Sequence, residues 1–333
     1  MAQYKVVITD FGSPENEFER EEIANSGLDI ELVRLNARVS ADLFPTVNDA
    51  DGLVVQWVQI TEEVIAQLNK CKAISRYGIG VDMIDLSAAG KRGIPVFNTP
   101  DYCIEEVSNH TLGFLLMLNR RLLLQHEFVR AGKWGSGPVT GGAPMRLSKQ
   151  TLGIVGLGNI GAAVAEKSRC FGVRLLAFDP YASPERFASL DVERASLDEL
   201  LEQSDYVTLH CPLTDETRGL ISTAQLARMK PTAYLINMAR GAVVDQTALY
   251  QALISKTIAG AALDVLSKEP PASDDPLLKL DNVLFTPHTS SWSVESSEQL
   301  RRSTVRHIID VLKGNMPRSV VNRKELGWAD VRP

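Results

Sequence analysis

The chain has 333 residues, of which 44% are hydrophobic, and this composition can fill more than one core, which indicates two domains. Its formal net charge of −6 arises from 35 basic and 41 acidic residues, leaving no basic face for nucleic acid or anionic lipid. The longest apolar run, Leu112 to Leu118, is far shorter than the roughly 20 residues of a membrane span. Since the N-terminus also lacks the pattern of an export signal, we expect a soluble, cytoplasmic protein.

The first third of the chain alternates short apolar runs with helix-length amphipathic segments, the pattern of a parallel sheet covered by helices. Strands are predicted at Tyr4–Thr9, Asp29–Val33, Gly52–Val55, Ala73–Ser75 and Pro95–Phe97. Helices are predicted near Glu17–Asn25, Thr61–Asn69 and Ile84–Lys91. The acidic stretch Pro14–Glu22 is interpreted as a solvated helix face.

A long helix is predicted from Ile104 to about Ala131, and its apolar middle suggests burial between layers or at an interface. The segment Gly132–Pro144, rich in glycine and proline, predicts a loop or arm. Its Trp134 has two interpretations, a dimer contact and ordinary local packing.

A second strand and helix alternation follows the arm. Its strands are predicted at Thr151–Val155, Val173–Phe178, Tyr206–His210, Ala233–Met238, Ile258–Leu263 and Val283–Thr286. A C-terminal helix near Val294–Lys313 carries one apolar stripe and ends at Gly314. Such a helix can pack back on the first lobe, which would then be assembled from both ends of the chain.

A G-x-G-x-x-G run is formed by Gly156, Gly158 and Gly161. A lone copy is a weak signal, but here a strand precedes it, a helix follows, and the next strand ends at Asp179, which predicts a dinucleotide site. The three glycines allow, in order, a tight turn, close approach of the pyrophosphate and close helix packing. Asp179 would accept hydrogen bonds from the ribose hydroxyls and repel a 2′-phosphate, which favours NAD over NADP.

Four polar residues follow predicted strands of this second half: Arg240, Asp264, Glu269 and His288. Because ligands bind outside the carboxyl ends of strands in an open parallel sheet, we expect all four in one crevice. Singly, each has an ordinary structural explanation, such as a surface ion pair, a helix cap or a loop carboxylate. Together, beside a nucleotide site, they predict catalytic chemistry: a planar guanidinium for a carboxylate and a histidine that exchanges a proton.

These motifs resemble those of the D-isomer-specific 2-hydroxyacid dehydrogenases. The resemblance rests, in order, on SRYGIGVDMIDL from Ser75, VFNTPDYCIEEVSNHTLGFLL from Val96, GLGNIG with Asp179, HCPLTDETRGLI from His210, INMARGAVVD from Ile236, ALDVLSKEP from Ala262 and FTPH ending at His288. It covers about residues 70 to 320. It implies an α/β fold of two doubly wound parallel-sheet lobes, with a Rossmann NAD-binding domain inserted into a flavodoxin-like substrate-binding domain. The expected boundaries are 1–100 and 300–333 for the substrate domain and 101–299 for the NAD domain.

The resemblance also implies roles for individual residues. Arg240 would bind substrate, Glu269 would orient and charge the imidazole, and His288 would be the acid/base. The expected NAD-binding residues are Gly156, Gly158, Asn159, Ile160, Gly161, Asp179, His210, Cys211, Pro212, Thr217, Met238, Ala239, Asp264 and His288. The expected substrate-binding residues are Tyr77, Gly78, Ile79, Gly80, Val81, Arg240 and Trp292, with backbone amides near Ile79 to Val81 holding the substrate carboxylate. The partners expected are a small 2-oxo or 2-hydroxy acid and a second copy of the chain in a homodimer, and no metal is expected.

Departures from the family's commoner motifs leave the substrate open. Met238 stands where many members have a small or hydroxyl side chain, and Asn109 stands where an acid is often found. Trp292 either walls the substrate pocket or packs between lobes. A nearby tryptophan and the YCIEEVSNHTL segment are similar to the C-terminal-binding corepressors, so the alternative function is an NAD(H)-sensing interaction protein.

His110 and the cysteines are interpreted as structural and not as catalytic residues. His110, in an apolar helix, is interpreted as a hydrogen-bonded core or hinge residue. The His210-Cys211-Pro212 segment is expected to contact the cofactor through its backbone, because Cys211 has no evident base beside it. The chain's four cysteines have no CxxC spacing and are interpreted as reduced thiols.

Overall fold

The computed structural model describes residues 2–10, 16–135 and 143–328. The chain divides into two compact units. Unit 1 is formed by Met1–Tyr102 with Ser293–Pro333, and unit 2 by Cys103–Trp292. Each unit contains one parallel sheet flanked by helices, which confirms the predicted α/β class. Most of the predicted glycine-rich arm, residues 136–142, lies outside the described residues.

The part of the chain that the structure describes has twelve strands: β1 Tyr4–Ile8, β2 Ile30–Arg34, β3 Gly52–Val55, β4 Ala73–Arg76, β5 Val96–Phe97, β6 Thr151–Val155, β7 Arg174–Phe178, β8 Glu193–Arg194, β9 Tyr206–Leu209, β10 Tyr234–Asn237, β11 Gly260–Leu263 and β12 Val283–Phe285. The eleven α-helices of the described residues are α1 Glu17–Ser26, α2 Glu62–Ala66, α3 Leu86–Lys91, α4 Ile104–Arg120, α5 Leu122–Arg130, α6 Asn159–Ser168, α7 Pro184–Ser189, α8 Leu197–Gln203, α9 Thr223–Arg228, α10 Gln246–Ile254 and α11 Val294–Leu312.

The sheet of unit 1 has the order β2-β1-β3-β4-β5, with all neighbours parallel. This is the flavodoxin-like arrangement of a doubly wound sheet. Strands β3 and β4 are buried along their whole length, as expected for parallel strands covered on both faces. The C-terminal helix α11 packs its apolar stripe against buried side chains of β1, β3 and β5. Unit 1 is therefore built from both the N-terminal and the C-terminal part of the chain.

The sheet of unit 2 has the order β12-β11-β10-β9-β6-β7-β8, again with all neighbours parallel. The chain runs outward from β6 to β8 and then returns to the other side of β6 at β9. The switch point between β6 and β9 is where a doubly wound sheet opens a crevice at its carboxyl edge. The residues that follow β6, β9, β10, β11 and β12 therefore share one edge of this sheet.

The predicted single helix from Ile104 to Ala131 is wrong. Arg121 has a left-handed backbone with φ of 52°, which ends α4 at Arg120 and starts α5 at Leu122. Helix α4 buries apolar side chains in unit 2, whereas α5 buries none of its residues. Burial between layers is therefore observed for α4, and the alternative of an interface stays a prediction for α5.

The interpretation of Pro14–Glu22 as a solvated face is wrong at Asn16, which is 5% exposed, and at Glu19. Glu19 is fully buried, and both of its carboxylate oxygens accept hydrogen bonds from the Arg301 guanidinium of α11. The burial is possible because the Arg301 guanidinium, which lies far away in the sequence, neutralises the Glu19 carboxylate. The charge pattern of α1 alone does not reveal this partner.

Candidate active site

The glycine loop lies directly after β6 in unit 2. Gly156 has a φ of +92°, and a Cβ there would lie 2.7 Å from the backbone nitrogen of Cys211. A Cβ at Gly161 would lie 2.0 Å from the carbonyl oxygen of Gly156, so this glycine lets α6 sit against the loop. By contrast, a Cβ at Gly158, the N-cap of α6, would meet nothing within 4 Å. The loop thus leaves open space at a helix N-terminus, where a pyrophosphate is stabilised.

Asp179 follows β7 and is tied to the glycine loop. One of its carboxylate oxygens accepts a hydrogen bond from the backbone nitrogen of Leu157 at 2.7 Å. The other accepts from the backbone nitrogens of Tyr181 and Ala182 at 2.9 and 3.1 Å. Because a carboxylate can accept about four hydrogen bonds, acceptor capacity remains for a ribose hydroxyl.

His210 follows β9 at the switch point. Its Nε2 lies 2.9 Å from the Thr208 hydroxyl, and its Nδ1 is buried without a hydrogen-bond partner among the described residues. Burial lowers the pKa of His210 to about 3, so its ring is neutral near pH 7. Burial likewise raises the pKa of the Cys211 thiol to about 11, so this thiol stays protonated and unreactive.

The loop after Cys211 is closed by Thr217. The Thr217 hydroxyl donates to the carbonyl oxygen of Pro212 at 2.6 Å and accepts from the backbone nitrogen of Thr214 at 2.8 Å. These side chains organise the loop internally, which leaves its backbone as the surface for a ligand.

The turn that carries Arg240 is held by Asn237, a residue that the sequence analysis missed. The Asn237 side chain donates to the carbonyl oxygen of Arg240 and accepts from the backbone nitrogen of Ala239, both at 3.0 Å. Asn237 is 1% exposed and Met238 is 7% exposed, so the two residues before the turn belong to the core. Arg240 itself is half-buried. The signal for Asn237 was a single polar residue closing an apolar strand.

Asp264 organises the turn that carries His288. Its carboxylate, 2% exposed, accepts hydrogen bonds from the Thr286 hydroxyl at 2.6 Å and from the backbone nitrogens of Thr289 and Ser290 at 3.0 and 3.1 Å. Its carbonyl oxygen accepts from the backbone nitrogen of His288 at 2.9 Å. His288 adopts a left-handed backbone with φ of 56°, unusual for a side chain of this size, and these bonds hold it there.

His288 and Glu269 form a hydrogen-bonded pair. The imidazole Nδ1 lies 2.6 Å from Oε2 of Glu269, and Oε1 of Glu269 accepts from the backbone nitrogen of Leu266 at 2.9 Å. The two side chains are 22% and 33% exposed. Since an ionised carboxylate only accepts, Nδ1 carries a proton, and Nε2 is the nitrogen suited to exchange a proton with a ligand.

His110 reinforces the same turn from α4. Its Nε2 lies 3.1 Å from the Thr286 hydroxyl, and its ring packs edge-on against Phe114 with centroids 4.8 Å apart. Because the Thr286 hydroxyl donates to Asp264, His110 donates to it. His110 is therefore a hydrogen-bonded structural histidine, the interpretation that the sequence favoured.

The expected carboxylate-binding segment follows β4 in unit 1. The Tyr77 side chain is 1% exposed, so only its backbone is available to a ligand. Gly78 has a φ of +136°, and the Asn98 side chain donates to the carbonyl oxygen of Ile79 at 2.8 Å. Within the described residues, nothing accepts a hydrogen bond from the backbone nitrogens of residues 79–81. Three successive unsatisfied donors suit an anion.

The Trp292 indole is 77% exposed, and its place at a substrate pocket stays a prediction. Across residues 2–10, 16–135 and 143–328, no helix combines the length and apolarity needed to cross a bilayer. In the same residues, no group of three or more His, Cys, Asp or Glu side chains is arranged to hold a metal ion.

The switch-point glycine loop, the acid after β7 and the histidine and glutamate pair at the same sheet edge define the class of NAD-dependent dehydrogenases. Residues 112–290 match the family described as "D-isomer specific 2-hydroxyacid dehydrogenase, NAD binding domain". A glyoxylate reductase from Korarchaeum cryptofilum is 42% identical over 283 residues, which cover 84% of each protein. The chain belongs to the D-isomer-specific 2-hydroxyacid dehydrogenase family, as the sequence predicted.

Two further relatives extend the comparison. A D-3-phosphoglycerate dehydrogenase from Methanocaldococcus jannaschii is 39% identical over 84% of this chain but 53% of its own length, so the chain spans about half of that relative. The structure of D-lactate dehydrogenase from Aquifex aeolicus, complexed with NAD and lactic acid, has a TM-score of 0.83 and 30% identity, covering 98% of this chain and 99% of that one. The predictions of an oxidoreductase and of NAD as cofactor are confirmed. The alternative of a corepressor-like interaction protein gains no support.

Proposed function

We propose that the protein interconverts a small 2-oxo acid and its D-2-hydroxy acid, with His288 as acid/base, Glu269 as its partner and Arg240 as a substrate-binding residue. The observation that carries the proposal is the 2.6 Å contact between His288 and Glu269 at the sheet edge that also bears the glycine loop. Relatives of 42% and 40% identity are glyoxylate reductases, which favours a small substrate.

The residues present fit NAD. The open space at Gly158 admits a pyrophosphate to the N-terminus of α6, and Asp179 faces the same loop with acceptor capacity for a ribose. The backbone of residues 210–212 and of Met238 and Ala239 follows neighbouring strands at this edge. When bound, the nicotinamide supplies or takes up the hydride.

The side chains supply the remaining chemistry. In reduction, His288 donates the Nε2 proton to the substrate oxygen as negative charge grows there, and in oxidation it accepts the hydroxyl proton. Glu269 fixes the ring through Nδ1 and stabilises its positive charge. The planar guanidinium of Arg240 pairs with the substrate carboxylate or polarises its carbonyl. The unsatisfied amides of residues 79–81 are a second anchor for the carboxylate.

A substrate panel tests the proposal. NADH oxidation is measured with glyoxylate, hydroxypyruvate, pyruvate, 3-phosphohydroxypyruvate and 4-methylthio-2-oxobutyrate, which grade the side chain in size and charge. We expect turnover with at least one unphosphorylated acid. The proposed reaction would be contradicted if none of the five 2-oxo acids is reduced with NADH or NADPH and none of the corresponding D-2-hydroxy acids is oxidised with NAD or NADP.

The cofactor preference is expected to depend on Asp179. In Asp179→Asn, loss of the negative charge removes repulsion of a 2′-phosphate, so the ratio of kcat/KM with NADPH to that with NADH should rise about tenfold. Steady-state kinetics with both cofactors measures the ratio. Glu166→Gln is the matched control, since it removes one charge from an exposed position on α6. A ratio equal to that of the control would remove Asp179 from cofactor selection.

We also propose a homodimer that uses α5. Leu122, Leu123, Leu124 and Val129 are 46–49% exposed, and Trp134 just beyond the helix is 88% exposed. A row of exposed leucines on one helix is typical of an interface.

Light scattering during size-exclusion chromatography tests the dimer. Wild type is expected to elute as a dimer and Leu124→Glu as a monomer, because a buried charge disfavours an apolar interface. Ile254→Glu, at a leucine-sized side chain that is 48% exposed on α10, should leave the dimer intact. A dimeric Leu124→Glu would place the interface elsewhere.

A further inference from the structure

Glu269 lies in the long segment between β11 and β12, which needs support to hold a carboxylate at a fixed distance from His288. A solvent-open pocket of about 410 Å³ lies between the segment and α10, lined by Tyr250 of the helix and by Ala272, Asp274 and Pro276 of the segment, among others. Polar contacts beside this pocket connect the segment to the helix.

Gln246, the first residue of α10, makes those contacts. Its Oε1 accepts hydrogen bonds from the backbone nitrogen and the hydroxyl of Ser267 at 3.1 and 2.7 Å. Its Nε2 donates to Oδ2 of Asp275 at 2.9 Å. One half-buried amide thus binds the segment on both sides of Glu269. An amide side chain carries its acceptor and its donor on separate atoms, so Gln246 can make both sets of bonds at once.

The same stretch is held from the Arg240 turn. A Cβ on Gly241 would lie 1.9 Å from the carbonyl carbon of Leu266, so the two backbones are in direct contact. The nitrogen of Leu266 donates to Glu269 Oε1, and its carbonyl group leads into Ser267. The Leu266 peptide is therefore confined by Gly241 on one side and by the Gln246 to Ser267 bonds on the other. A continuous set of contacts runs from α10 through Ser267 and Leu266 to Glu269 and His288.

We propose that Gln246 is a positioning residue that keeps the Glu269 carboxylate within hydrogen-bond distance of His288. The inference rests on the proposed function for its kinetic consequences, while the geometry of the pair can be tested without turnover. Residues behind a catalytic group commonly contribute tenfold to a hundredfold to its efficiency although they touch no ligand.

The kinetic experiment compares Gln246→Leu, which removes both bonding groups at similar size, with Gln251→Leu, the same change at an exposed position of α10. In Gln246→Leu, kcat for the best 2-oxo acid is expected to fall about tenfold, with the Kd for NADH within twofold of wild type. Gln251→Leu should match wild type. Ser267→Ala, a small change at an exposed residue, should give a smaller loss. The double variant should lose less than the product of both effects, because the two groups share one contact.

A spectroscopic readout separates this inference from the reaction. The Nδ1 proton of His288, bonded to a carboxylate at 2.6 Å, should give a strongly downfield NMR resonance that His288→Gln assigns by its loss. The resonance is expected to broaden or vanish in Gln246→Leu and to persist in Gln251→Leu. An unchanged resonance and unchanged kcat in Gln246→Leu would overturn the inference even if wild type reduces 2-oxo acids. Conversely, a wild type without turnover contradicts the proposed function, while the resonance still decides the role of Gln246.

Discussion

His288→Ala is expected to lower kcat for 2-oxo acid reduction about a hundredfold to ten-thousandfold, the usual contribution of a general acid. The loss should appear in kcat and kcat/KM alike, because the proton is needed only as charge develops on the substrate oxygen. NADH affinity should stay nearly unchanged, since we expect the glycine loop and Asp179 to supply most of the dinucleotide binding. Steady-state kinetics and NADH fluorescence titration measure the two quantities.

Two variants sharpen the test of His288. His126→Ala replaces a histidine on α5 whose side chain is 61% exposed, and it should retain wild-type kcat. Glu269→Gln keeps a hydrogen-bond acceptor but removes the charge, so its kcat should lie between wild type and His288→Ala. Turnover of His288→Ala at the rate of the His126→Ala control would remove His288 from the mechanism.

The features that were predicted correctly are those whose residues lie close together in the sequence. The glycine loop and Asp179 are recognisable because the strand, turn, helix and acid follow one another directly, and the structure connects Asp179 to Leu157 in that loop. Family, fold class and cofactor followed from such runs. The two-residue strand β8 was missed, because Glu193 and Arg194 are exposed charged residues without an apolar pattern.

What could not be predicted depends on long-range contacts. In the sequence, nothing distinguishes Gln246 from any other first residue of a helix. Its bonds to Ser267 and Asp275 form only when the segment after β11 folds back on α10. The place of Asp264 at the cofactor stays a prediction, but the bonds of its carboxylate to the turn of residues 286–290 could not be read from the sequence. The break at Arg121 has no glycine to mark it.

Glu19→Gln is expected to destabilise unit 1 by about 3–5 kcal/mol, the usual cost of breaking a buried ion pair on one side. Glu19 is fully buried and accepts from Arg301 at 2.8 and 2.6 Å and from the Tyr77 hydroxyl at 2.7 Å. The Arg301 guanidinium also lies over the Phe18 ring, 4.9 Å from its centroid. Without the carboxylate charge, a largely buried guanidinium keeps its desolvation cost and loses its counter-charge.

Urea unfolding measures the change in the free energy of unfolding, with Arg306→Met as the control on α11. Arg306 also pairs with a glutamate of α1, Glu22, but its side chain is 54% exposed, so its loss should cost less than about 1 kcal/mol. A variant that replaces Glu19 by Leu, Arg301 by Met and Tyr77 by Phe removes all three polar partners together. It should be more stable than Glu19→Leu alone, because no buried group is left unpaired.

The effect of Glu19→Gln should also reach the segment that follows Tyr77. The hydroxyl bond to Glu19 fixes Tyr77 at the end of β4, directly before the unsatisfied amides of residues 79–81. If these amides hold the substrate carboxylate, loosening Tyr77 raises the KM for the 2-oxo acid, while the Kd for NADH, which depends on unit 2, stays constant. A free energy of unfolding equal to that of Arg306→Met would show that the buried pair contributes no more than an exposed one. An unchanged KM in a clearly destabilised Glu19→Gln would instead separate the ion pair from the carboxylate-binding segment.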